Sequence, residues 1–169
     1  MIKRTRKNPR LNDIDIFVKN NSIEFEKIMR GGEATIYYFK LNNSLLVNNV
    51  LLKSGEYSLK IYSDKLTQNN HGGLSTKKIS KLELLSKYGL IPKIYTITKR
   101  YIISKYIHGI TVSDFQFEYP DHMDEVNEKI EKLIKIWEKL GFSHDDLSED
   151  NILVSNKGSI YFIDPYVKN

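Results

Sequence analysis

The sequence predicts one α+β domain whose first half is rich in strands and whose second half contains a long helix. Alternating apolar residues occur in short runs before residue 63, and apolar residues recur at helical spacing between 121 and 140. Two short apolar runs also flank a turn near residue 157. Because 169 residues can enclose one substantial core, we expect a single domain over residues 13–169.

The strands of the first half are recognised by β-branched and aromatic residues in short alternating runs. They are predicted at residues 23–28, 35–41 and 57–62. Gly31 and Gly32 lie in a turn between the first two strands. A polar, Asn-rich loop is predicted at 42–49, and a turn at Ser54 and Gly55 leads into the third strand.

Two helices are predicted from apolar spacing and from the residues that end them. The first covers about residues 75–88 and is followed by Gly89. The second covers about residues 121–140, carries its apolar residues on one face and ends at Gly141. Two further strands are predicted near residues 93–98 and 101–107.

The positive charge of the chain is concentrated at its start, where residues 1–12 are predicted to form a disordered basic arm. Its basic residues are Lys3, Arg4, Arg6, Lys7 and Arg10, and they equal the whole formal net charge of +5. The basic character therefore describes the arm and not a surface of the domain. This arm is the best candidate for contact with nucleic acid or the ribosome, with a solvated tail as the alternative.

The composition also limits the compartment and the kinds of site. The absence of cysteine excludes disulfides and thiolate metal sites. No apolar stretch approaches the ~20 residues of a membrane span, and the first residues lack the apolar core of a secretory signal. We expect a soluble cytoplasmic protein without membrane contact.

An acidic loop near the end of the chain carries the most specific chemistry. It runs from His144 to Asn151 and contains Asp146, while Asp164 follows thirteen residues after Asn151. The apolar run 152–154 separates the two acidic positions. In kinases such a loop supplies an Asp that orients the acceptor hydroxyl, and an Asn and a second Asp hold Mg²⁺ against the phosphates of ATP. Hard oxygen ligands are required because Mg²⁺ offsets the phosphate charge.

This motif and the element order predict a protein-kinase-like fold for a Mg²⁺–ATP-dependent phosphotransferase. The N-lobe, about residues 13–107, would contain a five-stranded sheet and one helix. The C-lobe, about residues 108–169, would be minimal, with a long helix, the catalytic loop and a β-hairpin.

The first half offers weaker candidates for the same chemistry. Gly31 and Gly32 could let main-chain N–H groups approach phosphates, or they could belong to an ordinary hairpin. Lys60 could bind phosphates or face solvent. Glu83 lies about 40° from Ile79 around its predicted helix, so it borders the apolar face. That position fits a Lys60–Glu83 ion pair, although a solvated surface Glu is the alternative.

Segments 31–37, 59–62 and 144–154 resemble the RIO kinases and the small atypical kinase of the KEOPS tRNA-modifying complex. The resemblance implies that Asp146 is catalytic, that Lys60 pairs with Glu83, and that Asn151 and Asp164 bind Mg²⁺. The nucleotide-binding residues that it implies are Gly31, Gly32, Glu33, Ala34, Ile36, Lys60, Lys105 and Ile107. Adenine would bind along residues 105–107. A serine/threonine protein kinase acting on an unknown protein partner is the leading interpretation.

Three other functions stay open at this point. The same residues could act on water in an ATPase switch within a protein or ribonucleoprotein assembly. A small-molecule phosphotransferase shares the acidic loop, and a binding module could retain the fold without activity. The chain ends at Asn169 without an activation segment, so we expect an incompletely covered apolar face on the helix at 121–140. That face could support a homo-oligomer.

Overall fold

Alternating apolar and polar residues in the first half form a five-stranded antiparallel sheet in the computed structural model. The structure describes residues 23, 25–30, 34–62, 74–142 and 147–163. The strands up to residue 105 are β1 (Phe25–Arg30), β2 (Ala34–Leu41), β3 (Leu45–Val47), β4 (Val50–Leu52), β5 (Gly55–Tyr62), β6 (Ile94–Ile97) and β7 (Tyr101–Lys105). The large sheet has the strand order β1-β2-β5-β7-β6, which confirms the predicted α+β class and five-stranded sheet. The predicted arm at 1–12 lies outside the described residues.

Three helices and a second sheet complete the described part of the chain. The helices are α1 (Thr76–Lys87), α2 (Val112–Glu118) and α3 (Met123–Lys139). The second sheet contains β8 (Gly109–Thr111), β9 (Ile152–Ser155) and β10 (Ile160–Phe162), with β9 in the middle. Helices α1 and α3 lie where their apolar spacing predicts them. Strand β8 and helix α2 were not predicted, because each is short and carries little periodic pattern.

Helix α1 begins and ends with the local features that its sequence suggests. The Oγ of Ser75 accepts a hydrogen bond of 3.2 Å from the main-chain N–H of Lys78, which caps the helix. After the helix, Gly89 adopts a φ of +71°, a left-handed conformation that favours glycine. These features fix the end of α1 and direct the chain into β6.

The predicted Asn-rich loop at 42–49 is wrong, because this segment contains most of a β-hairpin. Strands β3 and β4 pair through Leu45–Val47 and Val50–Leu52, and the side chains of Val47 and Leu52 are buried. The hairpin turn is made by Asn48 and Asn49, whose φ angles are +48° and +63°. Asparagine tolerates this conformation, so the polar residues that suggested a loop form only the tip of the hairpin.

The substitution Asn49→Gly is expected to stabilise the protein by about 0.5 kcal/mol, because glycine adopts positive φ without steric cost and Asn-Gly suits this two-residue turn. Urea unfolding measures the change. Asn43→Gly, outside the turn and without positive φ, is the control and should be neutral or destabilising. A loss of stability in Asn49→Gly alone would contradict the turn geometry.

The two faces of the large sheet belong to different apolar clusters. The outer face packs under the β3–β4 hairpin and contributes Phe39, Tyr57 and Leu59. The inner face contributes Tyr62 and Ile102 to the larger cluster, which also contains residues of α1, α3 and the second sheet. Since Lys60 alternates with Leu59 along β5, it lies on the inner face.

The apolar face of helix α3 is covered more completely than the sequence suggested. Val126 and Trp137 are buried, and Trp137 contacts the rings of Phe142 and Phe162. The large apolar side chains exposed within the described residues lie elsewhere, at Ile28, Leu46, Leu51, Tyr88, Phe117 and Tyr119. Self-association through α3 therefore stays a prediction without an exposed patch on that helix. Within the described residues, no helix combines the length and apolar character that crossing a membrane requires.

Candidate functional site

Lys60 lies in the middle of the large sheet, on its inner face. Strand register places it between Ile36 of β2 and Ile102 of β7. Its Nζ lies 5.4 Å from the ring centroid of Tyr62, two residues further along the same face. Ala34 is the cross-strand partner of Tyr62 and is buried. The structure thus brings Ala34, Ile36 and Lys60, all predicted to bind nucleotide, onto one face of the sheet.

The residues predicted to contact adenine lie at the end of β7 and in the connection that follows it, residues 106–108. Lys105 is exposed and Ile107 is half-buried. The N–H of Tyr106 donates to the main-chain oxygen of Glu56 at 3.2 Å, whereas the main chain of Ile107 makes no hydrogen bond to another described residue. Its N–H and C=O are therefore available to a polar ligand at this edge of the sheet.

The described end of the acidic loop is hydrogen-bonded to the segment that precedes Asp164 in the sequence. Residues Glu149–Asn151 form a 3₁₀ turn, in which the N–H of Asn151 donates to the oxygen of Ser148 at 2.9 Å. The oxygen of Asn151 accepts a hydrogen bond of 2.9 Å from the N–H of Ile163, the residue directly before Asp164. The β9–β10 pairing continues through this bond, so Asn151 lies beside the chain that leads into Asp164.

This segment is also tied to the first half of the domain. The N–H of Phe162 donates to the main-chain oxygen of Leu90 at 2.9 Å, and both side chains are fully buried. Leu90 follows α1, so the hairpin that carries Asn151 is fixed against the same part of the core as α1. The relative position of Asn151 and the inner face of the sheet thus depends on packing between distant segments.

Five predicted site residues lie outside the described residues. They are Gly31, Gly32, Glu33, Asp146 and Asp164. No group of three or more His, Asp or Glu side chains suited to a metal occurs within the described ranges, and Asp164, one of the two predicted Mg²⁺ ligands, lies outside those ranges. The amide oxygen of Asn151 and a carboxylate that follows Ile163 are hard donors of the type that Mg²⁺ prefers, so the residues present fit this ion.

Glu83 is exposed on α1 and lines a groove beside β6, together with Ser86 and Lys87. The ion pairs between described residues are Glu56–His108, Glu125–Lys129 and Glu128–Lys132. They do not include Lys60 with Glu83, so this pair stays a prediction. The helical spacing could not determine that Glu83 lies exposed beside β6.

A polar cluster beside the connection was missed from the sequence. We call Tyr38, Glu56, Tyr106 and His108 the Glu56 cluster. The Tyr38 hydroxyl donates to Oε1 of Glu56 at 2.8 Å, and Nε2 of His108 lies 2.7 Å from Oε2. The ring centroid of Tyr106 lies 4.8 Å from that of Tyr38 and 4.9 Å from that of His108. Nothing in the spacing of these residues predicts the cluster, because it depends on strand register.

The cluster changes how its acidic groups titrate. The hydrogen bond from His108, and then that from Tyr38, lowers the pKa of Glu56. The hydrogen bond to Glu56 raises the pKa of Tyr38. A lowered carboxyl pKa in the folded state means that ionised Glu56 favours folding at neutral pH, and this contribution is lost as the pH falls through the lowered pKa.

Comparison with known proteins identifies the kind of domain. The family model of the RIO domain (RIO1) matches residues 52–165, which is more than half of the chain. The chain is also similar to the solved structure of PpkA-294 in its apo form, with a TM-score of 0.56 at 16% sequence identity. That match covers 85% of this chain and 58% of the other. No curated protein matches the sequence. The resemblance to RIO kinases and the protein-kinase-like fold are thereby confirmed.

Proposed function

Because this chain belongs to the RIO domain family, we propose that it is a Mg²⁺–ATP-dependent serine/threonine protein kinase. The family and the fold support a kinase-type enzyme. The hydrogen bond between Asn151 and Ile163 is the observation that carries the proposal. It holds a predicted Mg²⁺ ligand beside the chain entering Asp164, as two ligands of one metal site require.

In the proposed reaction each group has a separate task. Lys60 binds the phosphates from the inner face of the sheet, and the main chain of Ile107 binds the base. Asn151 and Asp164 hold Mg²⁺, which offsets phosphate charge when bound. Asp146 accepts a hydrogen bond from the acceptor hydroxyl and orients it toward the γ-phosphate. Most of the rate acceleration comes from positioning and electrostatics, since the protein forms no covalent bond to the phosphoryl group.

The proposal is tested by incubating the protein with Mg²⁺ and ATP labelled on the γ-phosphate, while protein-bound label and free phosphate are both counted. A kinase that accepts itself or an added protein gives protein-bound label that depends on Mg²⁺. Release of free phosphate alone would favour an ATPase switch. Neither product, with a panel of basic and acidic protein substrates present, would contradict a phosphotransferase.

The substitution Asn151→Ala is expected to raise the Mg²⁺ concentration needed for half-maximal activity by roughly tenfold or more, because one ligand is lost from the metal site. Initial rates at increasing Mg²⁺ and fixed ATP measure this effect. Asn156→Ala, an exposed Asn in the turn after β9, is the matched control and should leave the Mg²⁺ dependence unchanged. An unchanged dependence in Asn151→Ala would remove this residue from the metal site.

A further inference from the structure

Glu56 of β5 is hydrogen-bonded to two other segments, through both carboxylate oxygens and its main-chain oxygen. One carboxylate oxygen accepts from Tyr38 of β2, the other is bonded to His108, and the main-chain oxygen accepts from Tyr106. Both carboxylate contacts are shorter than 3 Å, which is typical of hydrogen bonds to an ionised acceptor. A single residue of β5 thus links the neighbouring strand and the connection that follows β7.

The two bonds to the connection lie on either side of Ile107. Tyr106 is held through its N–H, and His108 is held through its ring. His108 is held on its other side as well, because its main-chain oxygen accepts from the N–H of Asn156 at 2.9 Å. Ile107, whose own main chain is available, is therefore fixed between two anchored neighbours. Such preorganisation of a binding group reduces the cost of ordering it on binding.

We propose that Glu56 is a positioning residue for nucleotide binding, which holds Tyr106 and His108 so that the main chain of Ile107 faces the base. This inference rests on the proposed function, because it assigns the base to the connection. Glu56 does not contact the nucleotide itself. Glu56 raises the fraction of molecules in which the connection has the geometry that binds the base. Loss of Glu56 lowers this fraction and therefore raises the apparent Kd.

The experiment measures the Kd for ATP by calorimetry at saturating Mg²⁺ and pH 7.5, together with the unfolding temperature. The variants are Glu56→Gln and Glu56→Ala. We expect Kd to rise about threefold in Glu56→Gln and about tenfold in Glu56→Ala.

A matched control separates positioning from general stability. Glu125 is a second carboxylate with a lowered pKa, caused by its hydrogen bond to Lys129 on α3, and Glu125→Gln should leave the Kd unchanged. A lower unfolding temperature in both Glu56 variants with an unchanged Kd would show a structural role only and overturn the inference. Wild-type protein that binds no ATP would overturn the proposed function as well.

Discussion

The substitution Asp146→Ala is expected to lower the rate of phosphate transfer by roughly 10³-fold, while the Kd for Mg²⁺–ATP stays within about threefold of the wild-type value. The carboxylate of Asp146 is proposed to act on the acceptor hydroxyl, which is absent from the nucleotide complex. Its loss should therefore lower kcat and leave ATP binding in place. Initial rates with labelled ATP and calorimetry on the same preparations measure the two quantities.

Substitution of a neighbouring acidic residue is the control for removing one negative charge from this loop. Asp145, Glu149 and Asp150 lie close to Asp146 in sequence, and the last two are exposed. Removing any one of these acids reduces the repulsion felt by a triphosphate. Asp150→Ala should therefore change ATP binding about as much as Asp146→Ala does, without the loss of transfer. Equal transfer rates in the two variants would contradict the catalytic assignment of Asp146.

The clearest sequence patterns predicted the helices and strands. Which side chains meet on one face could be determined only from the structure. The apolar spacing around Trp137 predicted α3, and Gly89 predicted the end of α1. The pattern around Lys60 was ambiguous, since Leu59 and Ile61 indicated only that Lys60 points the other way. The register with Ile36 and Ile102 resolves this ambiguity, because it places Lys60 on the inner face.

The two missed features have different physical causes. The β3–β4 hairpin was hidden by Asn48 and Asn49, whose polarity suggested a loop although their positive φ angles close a tight turn. The Glu56 cluster joins residues separated by 18 and 52 positions in sequence, so no local pattern reports it. The cluster therefore depends on non-local pairing, which short-range periodicity does not contain.

The requirement for glycine at position 109 is another property that only the structure reveals. Gly109 of β8 lies opposite Ser155 of β9. A Cβ built at Gly109 would lie 2.1 Å from the main-chain oxygen of Val154 and 2.8 Å from the Cα of Ser155. Both atoms belong to the backbone, so no side-chain rotation relieves the overlap, and the two strands must separate. The substitution Gly109→Ala is therefore expected to lower the free energy of unfolding by about 3 kcal/mol, as measured by urea denaturation.

The substitution Gly89→Ala provides the contrast that isolates this steric effect. Gly89 has a φ of +71° and no atom within 4 Å of its built Cβ, so alanine there incurs only the conformational cost of about 1 kcal/mol. A smaller loss in Gly109→Ala than in Gly89→Ala would contradict the close approach of β8 and β9. Since β9 begins directly after Asn151, separation of these strands should also disturb the proposed metal site. We therefore expect the folded fraction of Gly109→Ala to need a higher Mg²⁺ concentration for half-maximal activity. Gly89→Ala should need the same Mg²⁺ concentration as the wild type.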